Sequence, residues 1–283
     1  MIIAVASGKG GTGKTTVSVN LAQMLGSDVV LLDCDVEEPN CRLFLDGEQC
    51  GEKVAVIPVP QVDESLCDGC GECGRFCAYH AIVTFGTKPL VFPEMCHGCG
   101  GCMRVCPKKC IREVGRRMGV VETVRAKNIT LIQGRLDVGA AMAPPLIREV
   151  KKRLPVDGTL AIIDAPPGTS CPVITTLQGA DFIILVTEPT PFGLNDLKLA
   201  VGMVRELGIS FGVVINRFGI GDDRVHMYCR EENIPVLIEI PDDRRIAEAY
   251  SKGSIVVDAL PEYRTLFQKL LDKTINGKNM EVN

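Results

Sequence analysis

The chain has 283 residues, of which 46% are hydrophobic and 5% aromatic, and its formal net charge is −4. These values fit a folded protein of one large α/β domain or two smaller ones. They argue against a dedicated nucleic-acid surface, because basic residues are scattered and few aromatic rings are present for base stacking. No apolar stretch approaches the ~20 residues of a membrane helix, so we expect a cytoplasmic protein without a stable membrane anchor.

The cysteine content is unusual for such a chain. There are 14 cysteines, and eight of them fall within residues 67–106. Because disulfides are rare in a reducing compartment, this density indicates metal binding.

The first predicted element is a buried strand, Ile2–Ala6, followed by a glycine-rich loop. Gly8–Thr15 fits the P-loop pattern GxxxxGK[ST]. Such a loop between a strand and a helix directs backbone N–H groups at a phosphate. We expect Lys14 to reach the β- and γ-phosphates of ATP and the Thr15 hydroxyl to bind Mg²⁺. The predicted nucleotide-binding residues of the loop are Gly8, Lys9, Gly10, Gly11, Thr12, Gly13, Lys14, Thr15 and Thr16.

The loop has an additional lysine near its start, Lys9, which makes the predicted type of P-loop more specific. The sequence KGGTGKTT at Lys9–Thr16 resembles the deviant P-loop of the MinD/ParA family of ATPases, which includes the nitrogenase iron protein and the Mrp-type iron–sulfur carriers. The resemblance implies an ATP-dependent homodimer in which Lys9 acts catalytically by reaching the partner's nucleotide. The alternative for Lys9 is a solvated side chain.

Two predicted strands end in acidic residues. Val29–Leu32 leads into Asp33 and Asp35, at the end where parallel strands present ligand-binding residues. By the resemblance this is the first switch, where Asp33 holds the Mg²⁺ shell and Asp35 positions or activates the attacking water. Both acids would otherwise simply mark the end of a strand.

The second acidic strand, Thr159–Asp164, precedes a glycine turn at Gly168. This is the arrangement of a Walker-B motif and a second switch, so we expect Asp164 to bind Mg²⁺ through water.

Between the two acidic strands, another predicted strand, Val54–Pro60, is closed by two prolines, and a cysteine pattern follows it. CxxCxxCxxxC at Cys67–Cys77 repeats 29 residues later at Cys96–Cys106. The doubled pattern matches the bacterial two-cluster ferredoxin sequence, in which the fourth cysteine of each motif serves the other cluster. We therefore expect two [4Fe–4S] clusters, one held by Cys67, Cys70, Cys73 and Cys106, and the other by Cys96, Cys99, Cys102 and Cys77. Zinc is the competing interpretation, because CxxC pairs also suit a tetrahedral ion.

The rest of the chain alternates strands and helices. The predicted elements are strands at 119–124, 129–132, 182–187, 211–215 and 236–240, and helices starting near 144, at 194–207 and at 245–251. Asn216 follows one of these strands, where the family places an asparagine against adenine, and we expect Asn216 and Arg217 to contact the nucleotide. A loop cap is the alternative role for Asn216.

These elements predict an α/β fold: a parallel-sheet P-loop NTPase of the deviant Walker-A, SIMIBI-type class with a small inserted ferredoxin-like α+β domain. We expect residues 1–60 and 115–283 to form the ATPase domain and residues 61–114 to form the insertion.

Six cysteines lie outside the two motifs. Cys171 follows Asp164 by seven residues, as does a cluster ligand of the nitrogenase iron protein. The second ligand of that protein is replaced here by Ala140, so we expect no bridging cluster. The other five are expected to be small buried or half-buried residues: Cys34, Cys41, Cys50, Cys110 and Cys229.

Together these features predict an Mg²⁺-dependent, dimerising ATPase that couples its nucleotide state to electron transfer through two clusters, toward an unidentified redox or metallocofactor-assembly protein. One alternative is a cluster scaffold or carrier of the Mrp type, although such carriers use a CxxC in the C-terminal half and this chain has single cysteines there. A MinD/ParA-like spatial organiser is the third hypothesis. Against it, the apolar stripe at Leu266–Leu271 is more simply explained by packing on the core.

Overall fold

A large mixed sheet forms the centre of the protein. The computed structural model describes residues 1–26, 28–155 and 158–277. The strands are β1 (Ile2–Ala6), β2 (Val29–Asp33), β3 (Glu48–Val62), β4 (Ile82–Phe85), β5 (Lys88–Val91), β6 (Ile111–Ala126), β7 (Ile129–Leu136), β8 (Ala161–Asp164), β9 (Phe182–Thr187), β10 (Phe211–Phe218) and β11 (Val236–Pro241). The helices are α1 (Lys14–Met24), α2 (Glu72–Phe76), α3 (Gly101–Val105), α4 (Pro144–Lys151), α5 (Cys171–Leu177), α6 (Pro191–Leu207), α7 (Arg224–Glu231), α8 (Arg244–Ser251), α9 (Val256–Ala259) and α10 (Arg264–Gly277).

The sheet has the order β11-β10-β9-β1-β8-β2-β7-β6-β3. Strands from β11 through β7 pair in parallel, and apolar cores cover both faces of the sheet. Burial on both faces explains why these strands read as continuous apolar runs in the sequence. The sheet brings the carboxyl ends of β1, β2 and β8 to one edge, beside the glycine-rich loop.

The sheet is not purely parallel, which corrects the predicted fold. Strand β6 pairs antiparallel with β7, and β3 pairs antiparallel with β6. Only Lys127 and Asn128 separate β6 from β7, and so short a connection can join only antiparallel neighbours.

Strand β3 is longer than the predicted Val54–Pro60, because it runs through both prolines to Val62. It is the outermost strand of the sheet. A proline in an edge strand causes no loss of a ladder hydrogen bond when its nitrogen points away from the partner strand. The two prolines therefore do not end the strand.

Strands β3 and β6 form a long ribbon whose register runs from Glu48↔Arg125 to Val62↔Ile111. Residues 63–110, which hold both cysteine motifs, connect the two strands at the far end of this ribbon. The boundaries expected at 60/61 and 114/115 lie within the ribbon, a few residues before its end.

The cysteine segment has little regular structure. It contains helices α2 and α3, of five residues each, and a small sheet formed by β4 and β5. Its apolar side chains are largely exposed: Leu66, Phe76, Tyr79, Phe85, Leu90, Phe92, Met95 and Met103. A segment with so small an apolar core needs another source of stability, such as bound metal.

The C-terminal apolar stripe lies in the core. Phe267, Leu270 and Leu271 are buried on α10, as expected for a stripe that packs against the sheet. In the described part of the chain, none of the helices combines the length and apolarity needed to cross a membrane.

Candidate functional site

The glycine-rich loop lies between the end of β1 and the start of α1. Gly11 and Gly13 adopt left-handed backbone angles, with φ of 77° and 97°. At Gly13 a Cβ atom would lie 2.3 Å from Nδ2 of Asn216, so that position needs glycine for both its angle and its space. Lys14 starts the helix and is 7% exposed. Its burial lowers its pKa, while Asp164, Asp35 and Asp33 act in the opposite direction.

Asp164 lies directly against the first turn of α1. Its Oδ2 accepts a hydrogen bond from the Thr15 hydroxyl at 2.7 Å, and its Oδ1 accepts one from the Ser18 hydroxyl at 2.9 Å. The structure therefore brings together Thr15 and Asp164, two of the three groups expected at the Mg²⁺ site. Ligand atoms of Asp164 and of the third group, Asp33, lie within 4.8 Å of each other. Burial raises the pKa of Asp164, and a bound cation would favour its ionised form.

Asp33 pairs in register with Asp164 on the neighbouring strand. Its Oδ2 accepts the N–H groups of Asn40 and Cys41, each at 2.9 Å, and its Oδ1 accepts the N–H of Asp35 at 3.1 Å. Burial, followed by the nearby Asp164, raises the pKa of Asp33. The carboxylate thus fixes the loop that follows β2, which is a positioning role that the sequence pattern did not suggest.

Cys41 is an unexpected member of this site. Its Sγ lies 3.5 Å from Oδ2 of Asp164, and ligand atoms of Asp33, Cys41 and Asp164 all lie within 4.8 Å of one another. The sequence predicted only a small buried residue here, because its approach to Asp164 depends on the return of the loop after β2.

Asp35 lies on the loop that Asp33 fixes. Burial raises its pKa to about 6, and the positive charge of Lys14 partly opposes this rise. A carboxylate whose pKa is near neutrality can both orient water and accept a proton. The raised pKa is compatible with the water-activating role expected of Asp35, which remains a prediction.

Lys9 forms an ion pair within its own chain. Its Nζ lies 3.1 Å from Oε2 of Glu188, and Nη1 of Arg217 lies 2.9 Å from Oε1 of the same carboxylate. Glu188 follows β9 and is 5% exposed. Sequence reasoning missed Glu188, although it stands directly after a buried strand, the signal that identified Asp33 and Asp164.

Asn216 supports the glycine-rich loop. Its Nδ2 donates to the Thr12 carbonyl at 2.8 Å, and its Oδ1 accepts the Arg217 N–H at 2.9 Å. The contacts of Asn216 with adenine and of Arg217 with the nucleotide remain predictions. The structure shows Asn216 bonded to the loop and Arg217 paired with Glu188.

The two cysteine motifs cross over to form two cavities. The first cavity, which we call cavity 1, is lined by three cysteines of the first motif and by the last cysteine of the second motif: Cys67, Cys70, Cys73 and Cys106. The remaining four line cavity 2: Cys96, Cys99, Cys102 and Cys77. The structure thus brings together the two sets of four that the ferredoxin pattern predicts. Cys110, which was expected to be a simple buried residue, lines cavity 1 as a fifth cysteine.

The thiol sets fit iron–sulfur clusters. Four cysteines around one small space are the ligand set of a [4Fe–4S] cluster. Left-handed glycines at Gly71 and Gly100 precede α2 and α3 and let the chain turn around each cavity. The donor set alone would also suit zinc, but the exchange of the fourth cysteine between motifs is the arrangement of a two-cluster site.

Known proteins resemble this chain over nearly its whole length. The model for the CobQ/CobB/MinD/ParA nucleotide binding domain matches residues 3–256. An uncharacterized protein of Methanocaldococcus jannaschii is 33% identical over 263 residues, covering 89% of this chain and 90% of the relative. An iron-sulfur cluster carrier protein of Pyrococcus horikoshii is 26% identical over 299 residues, covering 97% of this chain and 85% of the relative.

Solved structures agree with the fold. The septum site-determining protein MinD of Pyrococcus horikoshii, complexed with Mg-ADP, superposes with a TM-score of 0.62 at 23% identity, covering 100% of this chain and 99% of the other. Since the family model spans the glycine-rich loop and every strand of the parallel part of the sheet, the chain belongs to the CobQ/CobB/MinD/ParA family of nucleotide-binding domains.

Proposed function

We propose that the protein is an Mg²⁺-dependent ATPase that dimerises with ATP and couples its nucleotide state to electron transfer through two [4Fe–4S] clusters. The acceptor or donor is a redox or metallocofactor-assembly protein. The inserted segment, residues 63–110, acts as a two-cluster ferredoxin module.

The nucleotide half of the proposal follows from the family and the loop geometry. The backbone of the glycine-rich loop and Lys14 hold the phosphates, while Thr15, Asp33 and Asp164 hold the Mg²⁺ shell. Asp35 orients the attacking water, and Lys9 neutralises charge on the partner's nucleotide after it leaves Glu188.

The cluster half depends on the two cavities. Cys67, Cys70, Cys73 and Cys106 would hold one cluster and Cys96, Cys99, Cys102 and Cys77 the other. When bound, such clusters carry single electrons. This chain's own residues supply the thiolates and the packing between the sites, including Ile82, which is 1% exposed.

The observation behind the proposed coupling is a pair of backbone hydrogen bonds that join the loop after β2 to the end of β7, and that end to β6. The Val36 carbonyl, next to Asp35, accepts the Leu136 N–H at 2.8 Å, and the Met118 carbonyl on β6 accepts the Asp137 N–H at 2.9 Å. Strand β6 begins at Ile111, which lines cavity 1. These bonds support the proposal that a movement of the loop that carries Asp35 reaches the cysteines through β7 and β6.

An anaerobic redox titration with EPR detection tests this proposal, with no nucleotide, with MgADP and with a non-hydrolysable MgATP analogue. We expect the ATP analogue to shift at least one cluster potential by about 60 mV, a tenfold change in a one-electron equilibrium. Lys14→Ala is the control, because it removes phosphate binding and leaves the cysteines intact. Equal potentials in all three states would contradict coupling, and fewer than eight irons per chain would contradict two clusters.

The relatives named as cluster carriers favour a second candidate, a cluster carrier. Against it, Cys229 is 1% exposed and Cys171 stands alone on α5. Transfer of a cluster from the loaded protein to an apo-ferredoxin, at a rate that ATP changes, would favour this function over electron transfer.

A further inference from the structure

The cysteine segment repeats in three dimensions as well as in sequence. Each half has one five-residue helix that begins after a left-handed glycine, at Gly71 and at Gly100. Three residues after the last cysteine of each motif the backbone is again left-handed, with φ of 52° at His80 and 51° at Lys109. Both halves therefore follow the same path around their cavities.

The next residue in each half is Ala81 or Cys110, and the two are structurally equivalent. The Ala81 carbonyl accepts the Phe92 N–H at 2.8 Å, and the Cys110 carbonyl accepts the Asp63 N–H at 2.8 Å. Ala81 is 2% exposed and lines cavity 2, while Cys110 is 5% exposed and lines cavity 1. The two cavities thus differ at this position by one thiol group.

That thiol lies beside an expected cluster ligand. The Sγ atoms of Cys110 and Cys106 are 3.4 Å apart, within hydrogen-bonding distance for sulfur. A cysteine that ligates iron is a thiolate and has no proton to donate. Between these two residues, therefore, only Cys110 has an S–H group when Cys106 is a ligand.

Building on the two clusters proposed above, we propose that Cys110 binds no iron and instead donates an S–H···S hydrogen bond to the Cys106 sulfur, which raises the potential of the cluster in cavity 1. Four cysteines already complete the ligand set there. Cavity 2 has its own complete set with alanine at the equivalent position, Ala81, so this position is not needed for ligation.

The direction of the effect follows from charge. Reduction adds an electron to a cluster and increases the negative charge on its sulfurs, so a hydrogen bond to a ligand sulfur stabilises the reduced state. The S–H group is a weak donor. We expect about a fivefold change in the ratio of reduced to oxidised cluster at fixed potential, which is about 40 mV at 59 mV per decade.

The experiment compares Cys110→Ala with the reciprocal variant Ala81→Cys in the full-length, cluster-loaded protein. Iron is counted first, and both one-electron steps are then titrated with EPR detection. We expect eight irons in both variants, one step moved down by about 40 mV in Cys110→Ala, and the other step moved up in Ala81→Cys. Cys110→Ser, which keeps an O–H donor, should hold the first step at or above its wild-type potential.

Three results would overturn this inference. Loss of four irons in Cys110→Ala would show that Cys110 is a cluster ligand. If Cys110→Ala keeps eight irons and both potentials are unchanged, Cys110 does not donate a hydrogen bond that affects the cluster. A Cys110→Ser protein that behaves like Cys110→Ala would assign the effect to packing. Absence of iron from the wild-type protein would instead contradict the proposed function itself, which separates the two failures.

Discussion

The ion pair between Lys9 and Glu188 tests the proposed role of Lys9 at a partner's nucleotide. The buried carboxylate of Glu188 pairs with Lys9 at 3.1 Å and with Arg217 at 2.9 Å. If Lys9 reaches the partner's nucleotide as proposed, it must break the first pair, and we expect Arg217 to keep the second. Glu188→Gln removes the charge but preserves side-chain shape and one hydrogen bond to Arg217, so it should favour the dimer.

The size of this effect is set by the cost of releasing Lys9. At 3.1 Å and an effective dielectric constant of about 20, the Coulomb energy is about 5 kcal/mol. Desolvation of the buried carboxylate offsets most of this energy, and the Lys9 side chain is 34% exposed, which leaves ~1 kcal/mol. Each dimer releases two lysines, so the variant should gain ~2 kcal/mol, or about 30-fold in dimer affinity.

Sedimentation velocity over a range of protein concentrations, with a non-hydrolysable MgATP analogue or with MgADP, measures this affinity. Glu232→Gln is the matched control, because it breaks a 2.6 Å ion pair to Arg205 that lies on the surface, and it should leave the affinity unchanged. Lys9→Ala should have the opposite effect and abolish the dimer. A Glu188→Gln protein that dimerises no better than wild type would refute the reasoning.

Four further changes test other parts of the protein. Burial raises the pKa of Asp33 and Asp164, so without nucleotide the folded chain binds more protons than the unfolded chain and loses stability as pH rises above about 4. Asp164→Asn should flatten this slope in thermal melts and abolish ATP hydrolysis. Gly13→Ala, at a φ of 97°, should lose more than tenfold in nucleotide affinity by calorimetry and destabilise by ~1–3 kcal/mol. Gly202→Ala, on a helix and with open space around it, should stabilise by ~1 kcal/mol instead. Replacement of residues 63–110 by a two-residue turn should leave nucleotide binding intact and remove all iron, because the flanking strands already pair.

The sequence predicted those parts of the site that lie within short, contiguous patterns. The glycine-rich loop and the Thr15–Asp164 pair follow from local motifs whose geometry hardly varies between proteins. Glu188 lacked such a motif, and its role appears only when β9 places it between Lys9 and Arg217.

Other features depended on how distant segments meet. The bonds of Asp33 to the N–H groups of Asn40 and Cys41 require the chain to return after β2, which no periodicity records. The exchange of the fourth cysteine was predictable because the motif is doubled. The contact of Cys110 with Cys106 was not predictable, since cysteine and alanine are equally ordinary at a small buried position. The antiparallel edge of the sheet was missed because the predicted strands at 54–60 and 119–124 covered only the most apolar parts of β3 and β6 and left out their polar, alternating ends.

The energy of one backbone hydrogen bond near the nucleotide site is of the same order as the energy needed to shift a cluster potential. One hydrogen bond such as that from Leu136 N–H to the Val36 carbonyl contributes ~1 kcal/mol, and a tenfold shift of a one-electron equilibrium requires about 1.4 kcal/mol. Gain or loss of one or two such bonds between the nucleotide states is therefore enough to move a cluster potential measurably. Coupling between binding sites is reciprocal. If ATP makes the equilibrium constant for reduction of the clusters tenfold more favourable, reduction of the clusters must therefore tighten ATP binding tenfold. Affinity for a fluorescent ATP analogue, measured on the oxidised and on the dithionite-reduced protein, tests this equality. Equal affinities beside a shifted potential would contradict a direct thermodynamic coupling through the ribbon.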